Sequence, residues 1–369
     1  MGSPQKPSGI FQTVFVITGN RTGRGLGKHF IQPILPLLST NVRLIDMNIL
    51  SNKYLSLVPP ISLFIILFTL FWFGGKWFWI EVWFIVEIFV LTFLTRTVSS
   101  RISVSIFSRG IYISVGLSLL IYSLALGIGL KADTFFTSGI LIPFVEEFAK
   151  FLPVLFVTYF LYKRQKKVLN PSDYLWISVL SGAGFSMIEK MYFGDISFSY
   201  TYGPHLGGLY FFPDALSARG IGYIGHAAAT GLIGMCFGLG IYLKSKIKSL
   251  KKVWWILPVV GYGWIVLEHT IVNLSFIDYS NTLLLLGGGE ITPIAFLLLL
   301  VPTLAISFYG IRDAIKKHPV IKKAFFGESK KIMEKVRDKK WMEGVVLGRK
   351  TVRMLRRFNI FVWQKTINR

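Results

Sequence analysis

The feature that most constrains this chain is a succession of apolar runs, each near 20 residues long. They fall at about 56–74, 77–98, 110–130, 138–162, 174–194, 221–243, 253–275 and 289–311. A helix rises about 1.5 Å per residue, so a run of that length matches the hydrocarbon thickness of a bilayer. The runs are continuous rather than alternating, which favours helices over the strands of a barrel. The expectation is an all-α, polytopic transmembrane helix bundle with about eight spans. A mean hydropathy of +0.56, with 32 Phe and 10 Trp, suits lipid-facing surface and interfacial anchoring better than a compact aqueous core.

Charge orients the runs. Arg96, Arg101 and Arg109 follow the second run, Lys163, Arg164, Lys166 and Lys167 the fourth, and Lys244, Lys246, Lys248, Lys251 and Lys252 the sixth. The intervening loops hold few cations and carry Asp133, Asp195, Asp214 and Asp278. Cations concentrate on the cytoplasmic side, so both the N-terminus and the C-terminus are expected there, and the alternation is consistent only with an even number of spans. The chain then divides into an N-terminal cytoplasmic segment, 1–53, a membrane bundle, 54–311, and a basic cytoplasmic tail, 312–369. The net charge of +23 is spread between apolar runs and in the tail. That distribution points to topology and to anionic lipid headgroups as a partner of the tail, not to nucleic acid.

Three features carry little chemistry. Cys236 is the single cysteine, which excludes an intrachain disulfide and a cysteine-based metal site. The first residues include Pro4, Pro7 and Gly9 and do not read as a secretory signal. The stretch Thr22-Gly23-Arg24-Gly25-Leu26-Gly27-Lys28-His29 approaches a phosphate-binding loop, but His29 stands where a hydroxyl should ligate magnesium, so a flexible basic loop is expected.

Ionisable groups inside the runs are costly and normally face a bundle interior or a wet cavity. Glu146, Glu147 and Lys150 lie in the fourth run, Glu189 and Lys190 in the fifth, His226 in the sixth, and Glu268, His269 and Asn273 in the seventh. Glu81 and Glu87 lie in the second and join no visible cluster. From the expected topology, Glu146, Glu147, Glu189, His226 and His269 all fall roughly 7–13 Å below the outer surface. A common depth on four consecutive helices suggests one polar cavity. Glu146 and Lys150 are spaced i, i+4 and can pair, as are His269 and Asn273, while Arg219 and His226 share a face two turns apart.

Two chemistries suit these groups. A glutamate, Glu146 or Glu147, can act as general base on water while His226, His269 and Asn273 polarise a carbonyl. Alternatively, Glu147, His226 and His269 can ligate zinc, which generates hydroxide at neutral pH. His226 is followed by three alanines and no HExxH motif occurs, so a metal site would be assembled across helices.

Four segments resemble the motifs of the PrsW family of intramembrane proteases, which is similar to the CAAX prenyl protease family. They are Glu146-Glu147-Phe148-Ala149-Lys150; Gly184 to Glu189, with Phe185; Arg219 through His226 to Gly231; and His269 to Asn273. Order and separation agree, and the resemblance covers about 138–275. It implies hydrolysis of a peptide bond in or near a membrane-embedded substrate, by glutamate- or metal-activated water. Glu146 or Glu147 would be the base, His226 and His269 would bind metal or the oxyanion, and Asn273 would orient the carbonyl. Glu189 would support the water or metal, with Lys150 and Arg219 as partners. Lys190 stands where the family has Asn. The rival expectations are a proton-coupled transporter, for which inverted repeats should be visible and are not, and an inactive membrane scaffold, for which Lys190 argues. A multi-pass location in a prokaryotic cytoplasmic membrane is the default.

Overall fold

The computed structural model describes residues 75–131, 134–165, 169–193, 224–275 and 291–317, together with Ile61, Phe64, Phe68 and Glu334. The first apolar run apart from Ile61, Phe64 and Phe68, the segment 1–53 with its glycine-rich stretch, Arg219, the side chain of Lys190 and, Glu334 apart, the tail beyond Lys317 lie outside the described residues.

Among the described residues the secondary structure is entirely helical. The helices are α1 (Gly75–Thr92), α2 (Ser100–Gly127), α3 (Ile142–Gln165), α4 (Pro171–Phe193), α5 (His226–Lys246), α6 (Ile256–Ser275) and α7 (Ile291–Lys317). A π-helical stretch, Gly110–Ser114, interrupts α2, and another, Phe135–Leu141, leads into α3. Helices α2, α5, α6 and α7 are long and apolar enough to cross a membrane. Helices α3 and α4 have 24 and 23 residues, about 35 Å at the helical rise, but carry charged side chains within that length.

Burial sorts the helices into centre and periphery. Every residue from Leu169 to Met187 is buried, so α4 is enclosed on all sides, and most of α5 is buried with it. These two form the most extensive helix pair, and α1, α2, α3, α6 and α7 pack around them. A helix that is apolar on every face is stable only when enclosed by protein or lipid. The peripheral helices turn Leu119, Leu120, Leu124, Val259, Val260, Leu298, Val301 and Phe308 outward. An exposed apolar surface of that extent belongs against lipid.

Close approach in the centre depends on glycine. A Cβ on Gly110 would lie 2.2 Å from the carbonyl oxygen of Ser181, so α2 meets the backbone of α4 there with no room for a side chain.

The start of α4 is written in its sequence. Asn170 precedes Pro171, and Asp173 sits in the first turn. The Asn170 Oδ1 accepts from the Asp173 N–H at 2.8 Å, which is N-terminal capping, and Pro171 needs no N–H partner. The Asp173 carboxylate accepts from the N–H groups of Thr97 and Val98, at 2.5 and 3.0 Å, and from the Thr97 hydroxyl. Arg96 lies over the rings of Phe89 and Trp176, 4.1 and 4.6 Å from their centroids. The α1–α2 connection is thereby locked onto one end of α4, about 24 Å from Glu189 near the other end.

Candidate functional site

Four helix ends meet on one side of the bundle: the start of α3, the end of α4, the start of α5 and the end of α6. Glu146, Glu147 and Lys150 lie on the first turns of α3, and Glu189 lies in the last turn but one of α4. His226 is the first residue of α5 rather than a residue five positions inside a helix, and Gly225 before it has φ +82°, a conformation that favours glycine. His269 stands six residues from the end of α6. The positive end of the α5 dipole therefore opens toward three carboxylates, which is favourable.

Local structure in α3 sets the position of Lys150. Pro153 has no N–H, so the carbonyl of Ala149 loses its helical donor. The Ser114 hydroxyl, at the end of the π-helical stretch of α2, donates to that carbonyl at 2.8 Å. The Ser181 hydroxyl of α4 donates to the carbonyl of Lys150 at 2.6 Å. Two serines from neighbouring helices thus hydrogen-bond the carbonyls of the turn that carries the lysine.

The two adjacent glutamates have different surroundings. Glu147 is fully buried, and its Oε1 receives the Lys150 Nζ at 2.7 Å and the His269 Nδ1 at 2.8 Å. Glu146 keeps 17% of its side-chain exposure. Its Oε2 is 3.9 Å from Lys150 Nζ and 3.7 Å from His269 Nε2, without a hydrogen bond to either. The expected i, i+4 pairing of Glu146 with Lys150 is present as a 3.9 Å ion pair, and a shorter i, i+3 contact to Glu147 is added, because Glu147 points into the bundle where Lys150 is buried.

The hydrogen bonds assign proton positions. An ammonium only donates, so the His226 Nδ1, 2.6 Å from Lys150 Nζ, accepts. A carboxylate only accepts, so the His226 Nε2, 2.5 Å from the Glu189 Oε2, carries the proton. His269 is the reverse: its Nδ1–H donates to Glu147, and a neutral ring then presents Nε2 as acceptor toward Glu146. The two imidazoles lie 5.5 Å apart. Phe185 packs edge-on against His226 and receives the Lys150 ammonium over its face at 4.6 Å.

The structure thus brings together Glu146, Glu147, Lys150, Glu189, His226 and His269. Asn273 stands apart and donates to the carbonyl of Ser138 at 3.0 Å. Glu81 is not isolated: its Oε1 accepts from Ser186 of α4, one turn before Glu189, at 2.7 Å. The sequence signal for this was a lone charge inside an apolar run, which requires some partner. Glu87 accepts from Trp83 on its own helix at 2.8 Å.

Two sets of donors lie close enough to hold a metal ion, Glu147 with His226 and His269, and Glu146 with Glu189 and His226, each within 4.8 Å. Imidazole and carboxylate are ligand types that zinc takes. His226 belongs to both sets, and its Nδ1 and Nε2 are both engaged.

A family model described as PrsW family intramembrane metalloprotease matches residues 84–306, more than half of the chain, and includes every member of the cluster. No curated protein and no solved structure matches.

Proposed function

Because the chain belongs to the PrsW family of intramembrane metalloproteases, a family of peptidases in the membrane, we propose that the cluster at the ends of α3–α6 is its hydrolytic site and Glu146 its general base. The observation that carries this is the contrast within the Glu-Glu pair: Glu147 is closed off by Lys150 and His269, whereas Glu146 is part-exposed beside His269 and Glu189. The attacking water would reach Glu146 beside His269, whose Nε2 lies 3.7 Å from the Glu146 Oε2. As the water oxygen bonds to the scissile carbonyl carbon, Glu146 takes a water proton. The Nε2–H of His226 donates to Glu189 and holds that carboxylate beside the reacting groups. Glu146 then passes the proton to the amine nitrogen as the C–N bond breaks. Asn273, whose amide donates to the Ser138 carbonyl, has a second N–H that would orient the substrate carbonyl one turn beyond His269.

The two donor sets favour a second reading, in which zinc is held by His226 with Glu147 and His269 or with Glu146 and Glu189. It would polarise the carbonyl and lower the pKa of bound water.

The substrate is a membrane protein whose helix unwinds near the cluster to expose its backbone. The bundle is multi-pass, with eight spans and both termini cytoplasmic, in a prokaryotic cytoplasmic membrane. Its divisions are 1–53, 54–311 and 312–369, and the basic tail meets anionic headgroups.

The test compares new N-termini in membrane proteins between cells expressing wild type and Glu146→Gln at matched levels. Fragments seen only with the wild type support proteolysis and name the substrate. Identical patterns, with the variant folded, sink the reading in favour of transport or scaffolding, which flux in proteoliposomes and partner capture then separate.

A further inference from the structure

Lys150 occupies the centre of the cluster. Its Nζ is 2.7 Å from Glu147 Oε1 and 2.6 Å from His226 Nδ1, and those two atoms are 3.9 Å apart. Zinc binds nitrogen and carboxylate oxygen at about 2.0–2.1 Å, so an ion held by both atoms would lie within about 2.5 Å of the ammonium nitrogen whichever side it took. Two cations do not share that space. The lysine is fully buried, and neighbours on three helices support it: Glu147, the Ser181 hydroxyl on its own carbonyl, the face of Phe185 and the Nδ1 of His226.

The second donor set meets a different obstacle. A histidine that ligates a metal normally donates its other N–H to a carboxylate or a carbonyl, which leaves the ligating nitrogen with its lone pair. His269 has that polarity, because its Nδ1 donates to Glu147. His226 has the opposite one. Its Nδ1 accepts from an ammonium, so Nε2 carries the proton and donates to Glu189. Nε2 is the nitrogen that Glu146 and Glu189 would share with an ion.

We infer that Lys150 is a built-in cation that stands in the place of a divalent ion, filling the inner donor set and, through His226, holding the outer set in a form that does not ligate metal. The donors have the chemistry of a zinc site, but with Lys150 seated among them they do not fit the ion. Lys150 is fully buried, so it is a positioning residue that fixes the charge of Glu147 and the tautomer of His226. Only its consequence for catalysis rests on the proteolytic reading; metal binding is measured separately.

The experiment titrates Co2+ and Zn2+ into purified full-length protein, following Co2+ visible absorption and thermal unfolding. Wild type and Lys150→Arg are expected to show no stoichiometric cobalt band and no stabilisation by zinc. Lys150→Met, which removes the ammonium but keeps the bulk, is expected to gain one equivalent of Co2+ with affinity raised at least about tenfold. One equivalent bound by the wild type and lost in His226→Gln would overturn the inference, as would equal binding by wild type and Lys150→Met. Should Lys150→Met not fold, the wild type decides alone through the ring 15N shifts of His226. A proton on Nε2, undisturbed by one equivalent of Zn2+, supports the inference, and a zinc-dependent shift overturns it. Absence of wild-type-dependent fragments would defeat the proteolytic reading while leaving these titrations intact.

Discussion

Gly182→Ala tests how tightly α4 holds the start of α5. A Cβ at Gly182 would lie 2.3 Å from the carbonyl oxygen of His226 and 2.7 Å from the Thr230 hydroxyl. Ordinary contact begins near 3.4 Å, so one helix must retreat by about 1 Å. The atoms in the way are backbone, and the Thr230 hydroxyl already donates to the same carbonyl at 2.8 Å, so no side-chain rotation relieves the clash. A retreat of that size takes the Lys150–His226 contact from 2.6 Å to beyond hydrogen-bonding range. A misplacement near 1 Å at reacting groups costs about 100-fold in rate, or about 2.7 kcal/mol. Overpacking should also cost about 1–3 kcal/mol of stability. The assay is the rate at which wild-type-dependent fragments appear at matched expression, beside thermal unfolding in detergent. Gly116→Ala is the control: nothing lies within 4 Å of its Cβ, so neither readout should fall. Gly182→Ala with wild-type rate and stability would refute the claim that backbone contact between α4 and α5 positions His226.

Other perturbations separate the roles further. Glu146→Gln should abolish fragment formation with little change in melting temperature, whereas Glu147→Gln leaves a buried ammonium with only its longer 3.9 Å contact to Glu146 and should cost about 3 kcal/mol of stability. Ser114→Ala should destabilise the protein by about 1–3 kcal/mol, because it orphans the Ala149 carbonyl. In a Pro153→Ala background, where an N–H is restored, the same change should cost much less; equal losses in a double-mutant cycle would break this account. Asp173→Ala should lower the melting temperature without altering the metal response of Lys150→Met, since the lock at that end of α4 is about 24 Å from the cluster.

Much of this protein is legible in order along the chain. Runs of about 20 apolar residues dictate helices, because length and continuous apolarity are local properties. The start of α4 is equally local: Asn170, Pro171 and Asp173 supply a cap, a fixed first residue and a first-turn acid. The gathering of Glu146, Glu147, Glu189, His226 and His269 was also foreseeable, since charge inside an apolar run seeks a partner at its own depth. Rotation about each helix axis is not written locally. It is decided by packing, and it determines that Glu147 takes the hydrogen bond from Lys150 while Glu146 stays at 3.9 Å. It also turns Ser114 and Ser181 toward the carbonyls of Ala149 and Lys150 in α3, leaves Asn273 on the carbonyl of Ser138, and gives Glu81 a partner in Ser186. The sequence alone determined the helices and the kinds of groups at one depth. Tertiary structure decided which nitrogen faces which oxygen, because helix rotation and the closeness of glycine contacts are set by packing between helices, not by local sequence.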